Sequence, residues 1–290
     1  MNSLKVKAPA KLNLTLDIGK KRDDGYHLMD MVMQTIDLYD VIRISKTDDD
    51  FVKVSSTDEK IPLGDENTAH RAAINFIKTV EPQHRGFKIE IQKNIPSQAG
   101  LGGASSDAAG VLVGLNALCG TGLSLNELCD IGITVGADVP FCIVGSTAHI
   151  TGIGENIVVL PDLPECFFLV VKPPFGMLTK HAFELYDDYS AEIKRPDTDS
   201  VISAIDRKDV DFIAKSLCNV FEPVVFPDKI LPIKNALIAA GALGAGITGS
   251  GVAVFGIFRS ETEAQNAIPE LVRFGKVFLA SPVRSGAVVY

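Results

Sequence analysis

From residue 12 to residue 18, apolar and polar side chains alternate: Leu12, Leu14, Leu16 and Ile18 against Asn13, Thr15 and Asp17. A period of two is that of a half-buried strand, and it sets Lys11 and Asn13 on one shared, polar face. Pro9, just ahead, has no amide to donate, so a bulge or a break in pairing is expected there. Residues 19–27 read as a polar connection, and 31–36, 41–44 and 51–54 as further strands, which makes the opening third β-rich. Asn67 is placed to cap a helix running through Ala72, Ala73 and Phe76 toward Val80. Phe87, Ile89 and Ile91, alternating with Lys88, Glu90 and Gln92, bring the chain back as a strand.

Farther along, Ala108, Val111, Leu112, Leu115 and Leu118 fall on one helical stripe and are core. Ser124-Leu-Asn-Glu127 is a capping box that opens the next helix, and Gly136 closes it. Ala137-Asp-Val-Pro-Phe141 is expected to turn the chain into short strands that finish near Leu160. The pattern changes past Pro161, which divides the chain into domains of residues 1–160 and 161–290. In the second, 166–171 reads as an apolar strand, followed by helical segments near 180–186, 199–206, 210–221 and 229–240. A strand at 252–258, a helix opened by Ser260-Glu-Thr-Glu263 and a strand at 277–280 complete it. Strands separated by helices predict an open α/β sandwich.

Composition narrows the partners. The 290 residues are 46% hydrophobic and 22% charged with a net charge of −8 and no basic cluster longer than Gly19-Lys-Lys-Arg22, which argues against a nucleic-acid backbone. The run 235–258 carries no charge but holds six glycines and Thr248-Gly-Ser250, so it reads as helix, loop and strand and not as a membrane span. Cys119, Cys129, Cys142, Cys166 and Cys218 form no C-x-x-C pair and read as free thiols of a cytoplasmic protein. The N-terminus, Met1-Asn-Ser-Leu-Lys-Val-Lys, has no apolar core of a secretory signal.

Chemistry concentrates in Asn94-Ile-Pro-Ser-Gln-Ala-Gly-Leu-Gly-Gly-Ala-Ser-Ser-Asp-Ala-Ala-Gly110, between a strand and a helix. Gly100, Gly102 and Gly103 let the backbone approach a ligand closely, and the following helix start adds unpaired N–H donors and partial positive charge, a setting for phosphate. A flexible loop ended by a side-chain cap at Ser105, Ser106 or Asp107 is the alternative. Gly244-Ala-Gly-Ile-Thr-Gly249 matches G-x-G-x-x-G literally, but a helix is expected before it and a strand after, the reverse of a dinucleotide site. A tight loop facing the first across a cleft, or a helix C-cap and turn, are both open. No G-x-x-x-x-G-K-[ST] loop is present, and His70-Arg-Ala and His84-Arg-Gly lack the Asp of a protein-kinase catalytic loop.

Three ordered segments carry a resemblance. Lys7-Ala-Pro-Ala-Lys-Leu-Asn-Leu14, Pro96-Ser-Gln-Ala-Gly-Leu-Gly-Gly-Ala-Ser-Ser-Asp107 and Gly244-Ala-Gly-Ile-Thr-Gly-Ser-Gly251 are similar to the three motifs of the GHMP small-molecule kinases. Gly19-Lys-Lys-Arg-Asp-Asp-Gly-Tyr-His27, Gly136-Ala-Asp-Val-Pro-Phe141 and Leu217-Cys-Asn-Val-Phe-Glu222 resemble the branch acting on a cytidyl diphosphate alcohol. The resemblance implies an α+β, two-domain architecture. Its N-terminal α/β domain is like a ribosomal RNA-binding domain, its C-terminal α/β sandwich is ferredoxin-like, and the active site lies in the cleft between them. It implies transfer of the γ-phosphoryl of ATP, with Mg²⁺, to the tertiary 2-hydroxyl of a methylerythritol unit in non-mevalonate isoprenoid precursor synthesis. Ala104 stands where the family usually has a further glycine, which requires a negative φ there.

Roles follow from the same resemblance. Pro96, Ala99, Gly100, Leu101, Gly102, Gly103, Ala104, Ser105 and Ser106 form the ATP loop. Asp138 is the base and Lys11 its partner, which can also meet the transferring phosphoryl. Asn13 orients the acceptor hydroxyl, Gly249 lies beside the substrate, and no side chain is assigned to a metal. Tyr26, His27 and Phe183 line a cytidine pocket, where an aromatic face and a ring with donor and acceptor suit a cytosine. Without the resemblance, Asp138 is as readily a turn residue, Lys11 a solvated strand lysine, Asn13 a strand-surface polar group, Tyr26 a loop anchor, His27 a surface histidine and Phe183 core. The expected partners are ATP and a small cytidyl diphosphate substrate, with no nucleic acid and no membrane, in a monomer or weak homodimer. The substrate of a homoserine- or mevalonate-type kinase carries no nucleobase for Tyr26 and His27 to meet, and a non-catalytic RNA-binding module fits neither the net charge nor the retention of both Lys11 and Asp138.

Overall fold

The alternating stretch at 12–18 lies inside a strand of 19 residues, β1 (Ser3–Lys21), which pairs antiparallel along its length with β2 (His27–Lys46). Residues 2–23 and 25–290 are described in the computed structural model, so Met1 and Asp24 lie outside the described residues. The expected connection at 19–27 shrinks to the turn after Lys21, where Gly25 takes φ +88° and the Arg22 amide donates to the Tyr26 carbonyl. Segments 31–36 and 41–44 are one strand, because β1 shifts register between Pro9 and Ala10 at a bulge and pairing resumes beyond it.

In order there follow β3 (Val52–Ser56), α1 (Thr68–Val80), β4 (Phe87–Gln92), α2 (Gly103–Cys119), α3 (Leu125–Ile133), α4 (Val139–Val144), β5 (Thr147–Gly152) and β6 (Asn156–Val159). Next come β7 (Phe167–Lys172), α5 (Thr179–Asp188), α6 (Thr198–Asp206), α7 (Val210–Lys215), β8 (Cys218–Asn219), α8 (Pro227–Ala239) and β9 (Gly244–Ile247). The last are β10 (Val254–Phe258), α9 (Glu261–Leu271), β11 (Lys276–Ala280) and β12 (Val288–Val289). A first sheet has the order β12-β1-β2-β4-β3, with β5 added on β2, β6 on β5 and β8 on β1; a second has the order β11-β7-β10-β9. The second sheet is antiparallel throughout.

Asn67 caps α1 by accepting from the Ala69 and His70 amides, and Ser124 with Glu127 closes a capping box on α3. Helices α1, α2 and α3 cover one face of the first sheet through Leu112, Leu115 and Phe76 against Val6, Ile42 and Ile89. Gly110 and Gly114 bring α2 down onto it, since a Cβ at either would stand within 2.5 Å of an Ile42 or Ile44 methyl. In β7, Phe168 and Val170 face Leu12, Leu14 and Val32 of the first sheet, while Leu169 and Val171 face α8 and α9. That two-sided burial explains the uninterrupted apolar run. The half-buried reading of β1 is corrected too: residues 8–16 are all buried, because Gly102, Asp138 and the loop at Gly249 close over the face that bears Lys11 and Asn13.

Two further segments differ from expectation. Residues 139–144 form α4 and not a strand, since Pro140 costs a helix no hydrogen bond in its first turn and Gly132 lets the segment pack on α3. The helix expected over 210–221 ends at Lys215, and Cys218 then pairs parallel to Thr15. The uncharged run 235–258 is α8, β9 and β10, and no helix among the described residues is long and apolar enough to cross a membrane. All five cysteines are free; burial pushes the Cys166 thiol up to about 12.

Candidate active site

The residues after β4 climb over the end of the first sheet and enter α2 through Gly102 at φ +73°, with no side chain capping the helix. The capping alternative therefore does not occur. Ser106 Oγ donates to the Pro9 carbonyl at 2.6 Å, and Asp107 takes the Lys93 ammonium at 2.6 Å. The first amides of α2 are left for something other than the protein's own side chains, and the helix dipole favours an anion there. Ala104 sits in the first helical turn and is absent from the positive-φ residues, so its Cβ is tolerated.

Gly244-Ala-Gly-Ile is a strand, β9, and not the end of a helix, so the literal G-x-G-x-x-G belongs to a hairpin. Its loop locks onto the first. Thr248 Oγ1 donates to the Gly100 carbonyl at 3.2 Å, and the Ala253 amide donates to the Ala99 carbonyl at 3.0 Å. Gly100 (φ +79°) and Gly249 (φ +58°) make the approach sterically allowed, since a Cβ on Gly100 would lie 2.0 Å from the Thr248 carbonyl oxygen.

Lys11 stands where the loops meet. Its stem passes over Gly102, whose absent Cβ would be 2.8 Å from Lys11 Cγ. Its ammonium donates to Asn13 Oδ1 at 2.7 Å and pairs with Asp138 at 3.5 Å, in a site where Lys11 is 3% exposed. Asp138 occupies the N-cap position of α4 but caps nothing, so its carboxylate is directed at Lys11 and the cleft. Asn13 Oδ1 also accepts from the Gly249 amide at 2.9 Å. Asn13 and Ser106 thus stand behind the cavity wall, spent on holding Lys11 and the Pro9 bulge. The other expected site residues line one cavity of about 1830 Å³. Sites for a single drug-sized ligand occupy roughly 300–1,000 Å³, so this one has room for two.

At the far end, Tyr26 is 57% exposed on the rim, while the His27 side chain is 7% exposed. Phe183 stacks on His27 with centroids 5.4 Å apart at 26°, and its edge meets Phe221 at 5.0 Å. His27 Nε2 lies 2.9 Å from Asp187, which also holds Lys21. The Lys21 hydrogen bond and the His27 charge keep the Asp187 carboxyl below its ordinary value despite some desolvation.

Several side chains that shape this site were not picked out from the sequence. Asn219 Nδ2 donates to the Ile247 and Gly249 carbonyls at 3.2 and 2.9 Å, pinning the second loop from beneath. Asp187 shares a helix face with Phe183, four residues earlier, and that spacing was a usable signal. Asn219 and Thr248 lay inside segments that carried the resemblance without a role of their own, and Asp40 and Lys93 gave no signal, because their partners lie far away in the chain.

Two family models match the chain, the GHMP kinases N terminal domain over residues 67–146 and the GHMP kinases C terminal over 201–277. The chain belongs to the GHMP kinases, and is an ATP-dependent small-molecule kinase. Its relatives within that family are named 4-diphosphocytidyl-2-C-methyl-D-erythritol kinase. That of Caldicellulosiruptor saccharolyticus is 46% identical, covering 94% of this chain and 93% of the relative. That of Clostridium tetani is 41% identical over 97% and 100%. A crystal structure of 4-(cytidine 5'-diphospho)-2C-methyl-D-erythritol kinase superposes with a TM-score of 0.77 at 28% identity, covering 96% of this chain and 99% of that one. Homoserine kinase from Cytophaga hutchinsonii gives 0.81 at 20% identity over 100% and 98%, a likeness of fold.

Proposed function

We infer that this kinase phosphorylates the 2-hydroxyl of 4-(cytidine 5'-diphospho)-2-C-methyl-D-erythritol, giving the 2-phosphate and ADP. The observation that carries the reading is one cleft with an anion-ready helix start at one end, a histidine–aromatic wall at the other, and Lys11 with Asp138 between them. The α2 amides and the glycine loop hold the triphosphate. Asp138 accepts the proton of the attacking hydroxyl, and Lys11 meets the negative charge spread over the transferring phosphoryl oxygens. Asn13 fixes Lys11 rather than the acceptor. Tyr26, His27 and Phe183 receive the cytosine, and residues 161–290 close the cleft begun by 1–160.

No group of three or more His, Cys, Asp or Glu among the described residues is arranged to hold a metal. The cleft offers single oxygen ligands, from residues such as Ser105 and Asp138, of the kind Mg²⁺ takes alongside substrate phosphates and water. Ser105, which lines the cavity, would meet it, since the Ser106 hydroxyl is taken by Pro9. When bound, the ion neutralises charge on the phosphate oxygens.

The purified protein is expected to turn over ATP only when the cytidyl alcohol is present, with mevalonate and homoserine inert; turnover with either control at a comparable kcat/KM sinks the substrate assignment. Tyr26→Ala is expected to raise the KM for the cytidyl alcohol about tenfold, in line with roughly 1–3 kcal/mol for stacking one base, and to leave ATP binding little changed. Equal losses for both substrates would point to misfolding instead.

A further inference from the structure

At the aromatic end of the cleft, Lys21 of β1, His27 of β2 and Asp187 of α5 meet, and all three line the cavity. Asp187 divides its two oxygens between the others: Oδ1 lies 2.9 Å from His27 Nε2, and Oδ2 takes the Lys21 ammonium. The carboxyl is kept below its ordinary value chiefly by the Lys21 hydrogen bond, so at neutral pH it is ionised and can only accept. Nε2 of His27 therefore carries a proton toward it. The ring itself is held by α5, with Phe183 stacked on one face and Tyr186 edge-on at 6.3 Å and 89°. That helix does not depend on Asp187 for its position. The Tyr186 hydroxyl donates to the Ile18 carbonyl at 3.3 Å, and the Phe183 and Tyr186 rings both pack on Phe221.

With Nε2 spent on Asp187, the nitrogen left for a ligand is Nδ1, which in the neutral ring is an acceptor. Lys21 supplies the counter-charge of the carboxylate, so the imidazole is not needed as a cation. Cytosine and uracil differ in what they offer such a group: cytosine has an amino group that donates, and uracil has a carbonyl that accepts. We propose that Asp187 is a positioning residue which, backed by Lys21, fixes the His27 tautomer so that Nδ1 accepts from the cytosine amino group and turns uracil away. An acceptor facing the uracil carbonyl leaves two desolvated polar groups unpaired, and a site built around a hydrogen bond to an N–H discriminates strongly against a partner lacking it.

The same geometry gives Asp187→Asn a direction. An amide has one oxygen and one NH₂, and Lys21 claims the oxygen because an ammonium can only donate. The NH₂ then faces His27, Nε2 has to accept, and the proton moves to Nδ1, which becomes a donor toward the base. Removing Lys21 as well frees the amide to turn its oxygen back to Nε2.

The inference rests on the cytidyl alcohol being the substrate, and the experiment separates the two. The ratio kcat/KM is measured for that alcohol and for the same alcohol carrying uracil, in the parent, in Asp187→Asn and in Asp187→Asn with Lys21→Met, with the KM for ATP alongside. The parent is expected to favour cytosine by at least about a hundredfold, Asp187→Asn by less than about fivefold, and the double variant by at least about twentyfold, with the KM for ATP unchanged within about twofold. Nitrogen-15 NMR without substrate reads the tautomer directly: the His27 proton is expected on Nε2 in the parent and on Nδ1 in Asp187→Asn, the resonance being assigned by its absence in His27→Gln. No turnover of either alcohol by the parent overturns the substrate reading and this inference with it. Turnover of both bases alike by the parent, the same loss on both in Asp187→Asn, a double variant no more selective than the single one, or a parent protonated on Nδ1 overturns the Asp187 proposal alone. If Asp187→Asn does not fold, the parent decides: selectivity together with a proton on Nε2 supports the proposal, and the lack of either removes it.

Discussion

Asp138→Asn is expected to fold like the parent and to lose at least about a hundredfold in kcat. The carboxylate caps no helix amide, is about one third exposed and has one ion-pair partner, Lys11, at 3.5 Å. Replacing it with the isosteric amide therefore removes little that holds the fold together. It does remove the group able to accept the hydroxyl proton, and general-base assistance contributes roughly 10² to 10⁴ in rate. Alignment of the two substrates, worth about 7–11 kcal/mol, stays in place, so residual turnover is expected rather than none. Steady-state ADP release together with a thermal melt checks both halves. Near-parental turnover would remove Asp138 from the chemistry, and a collapsed melt would make the loss uninformative.

Gly100→Ala is expected to do the opposite, damaging the fold at the point where the two loops interlock. The new Cβ would lie 2.0 Å from the Thr248 carbonyl oxygen, backbone against backbone, so no rotamer change relieves it. The position also holds φ +79°, which costs an L-residue roughly 1–2 kcal/mol by itself. With overpacking of about 1–3 kcal/mol added, a loss of about 2–5 kcal/mol in stability is expected, with ATP binding weakened at least about tenfold. Gly64→Ala is the control, since nothing lies within 4 Å of its Cβ and its φ is not positive. Denaturant unfolding of both variants, with analogue binding, checks this; a Gly100→Ala protein as stable as the control would mean that the loops are not locked as described.

The reach of the sequence can be traced through particular residues. Local patterns were readable where local physics decides: the alternation at Phe87–Gln92, the Asn67 cap, the Ser124 capping box and the stripe on α2. The glycine loop was readable as a strand-to-helix turn with open amides because strand, glycines and helix start are consecutive. Asn13 shows where this stops. Its alternation with Leu12 and Leu14 says nothing of Gly249, 236 residues away, whose amide it accepts and which turns an outward polar position into buried scaffolding for Lys11. The strand at β9 was missed for a related reason, since a segment of two glycines, Ala and Ile has little strand propensity and forms through pairing with β10. Lys93 joins Asp40 and Asp107, 53 and 14 residues away in sequence, and no periodicity connects them.

The interlock of the two loops bears on how the molecule moves. A cleft flanked by two sheets suggests jaws that swing apart, yet the Asn13–Gly249, Thr248–Gly100 and Ala253–Ala99 bonds cross it at its middle, beside Lys11. Swinging open there would break all three at once. The seam therefore acts as a fulcrum, and entry and exit of the two substrates fall to its ends, with the Gly25 turn and Tyr26 at one of them. The spacing of the glycine loop from Lys11 is then set by this hydrogen-bonded seam rather than by the extent of a closure.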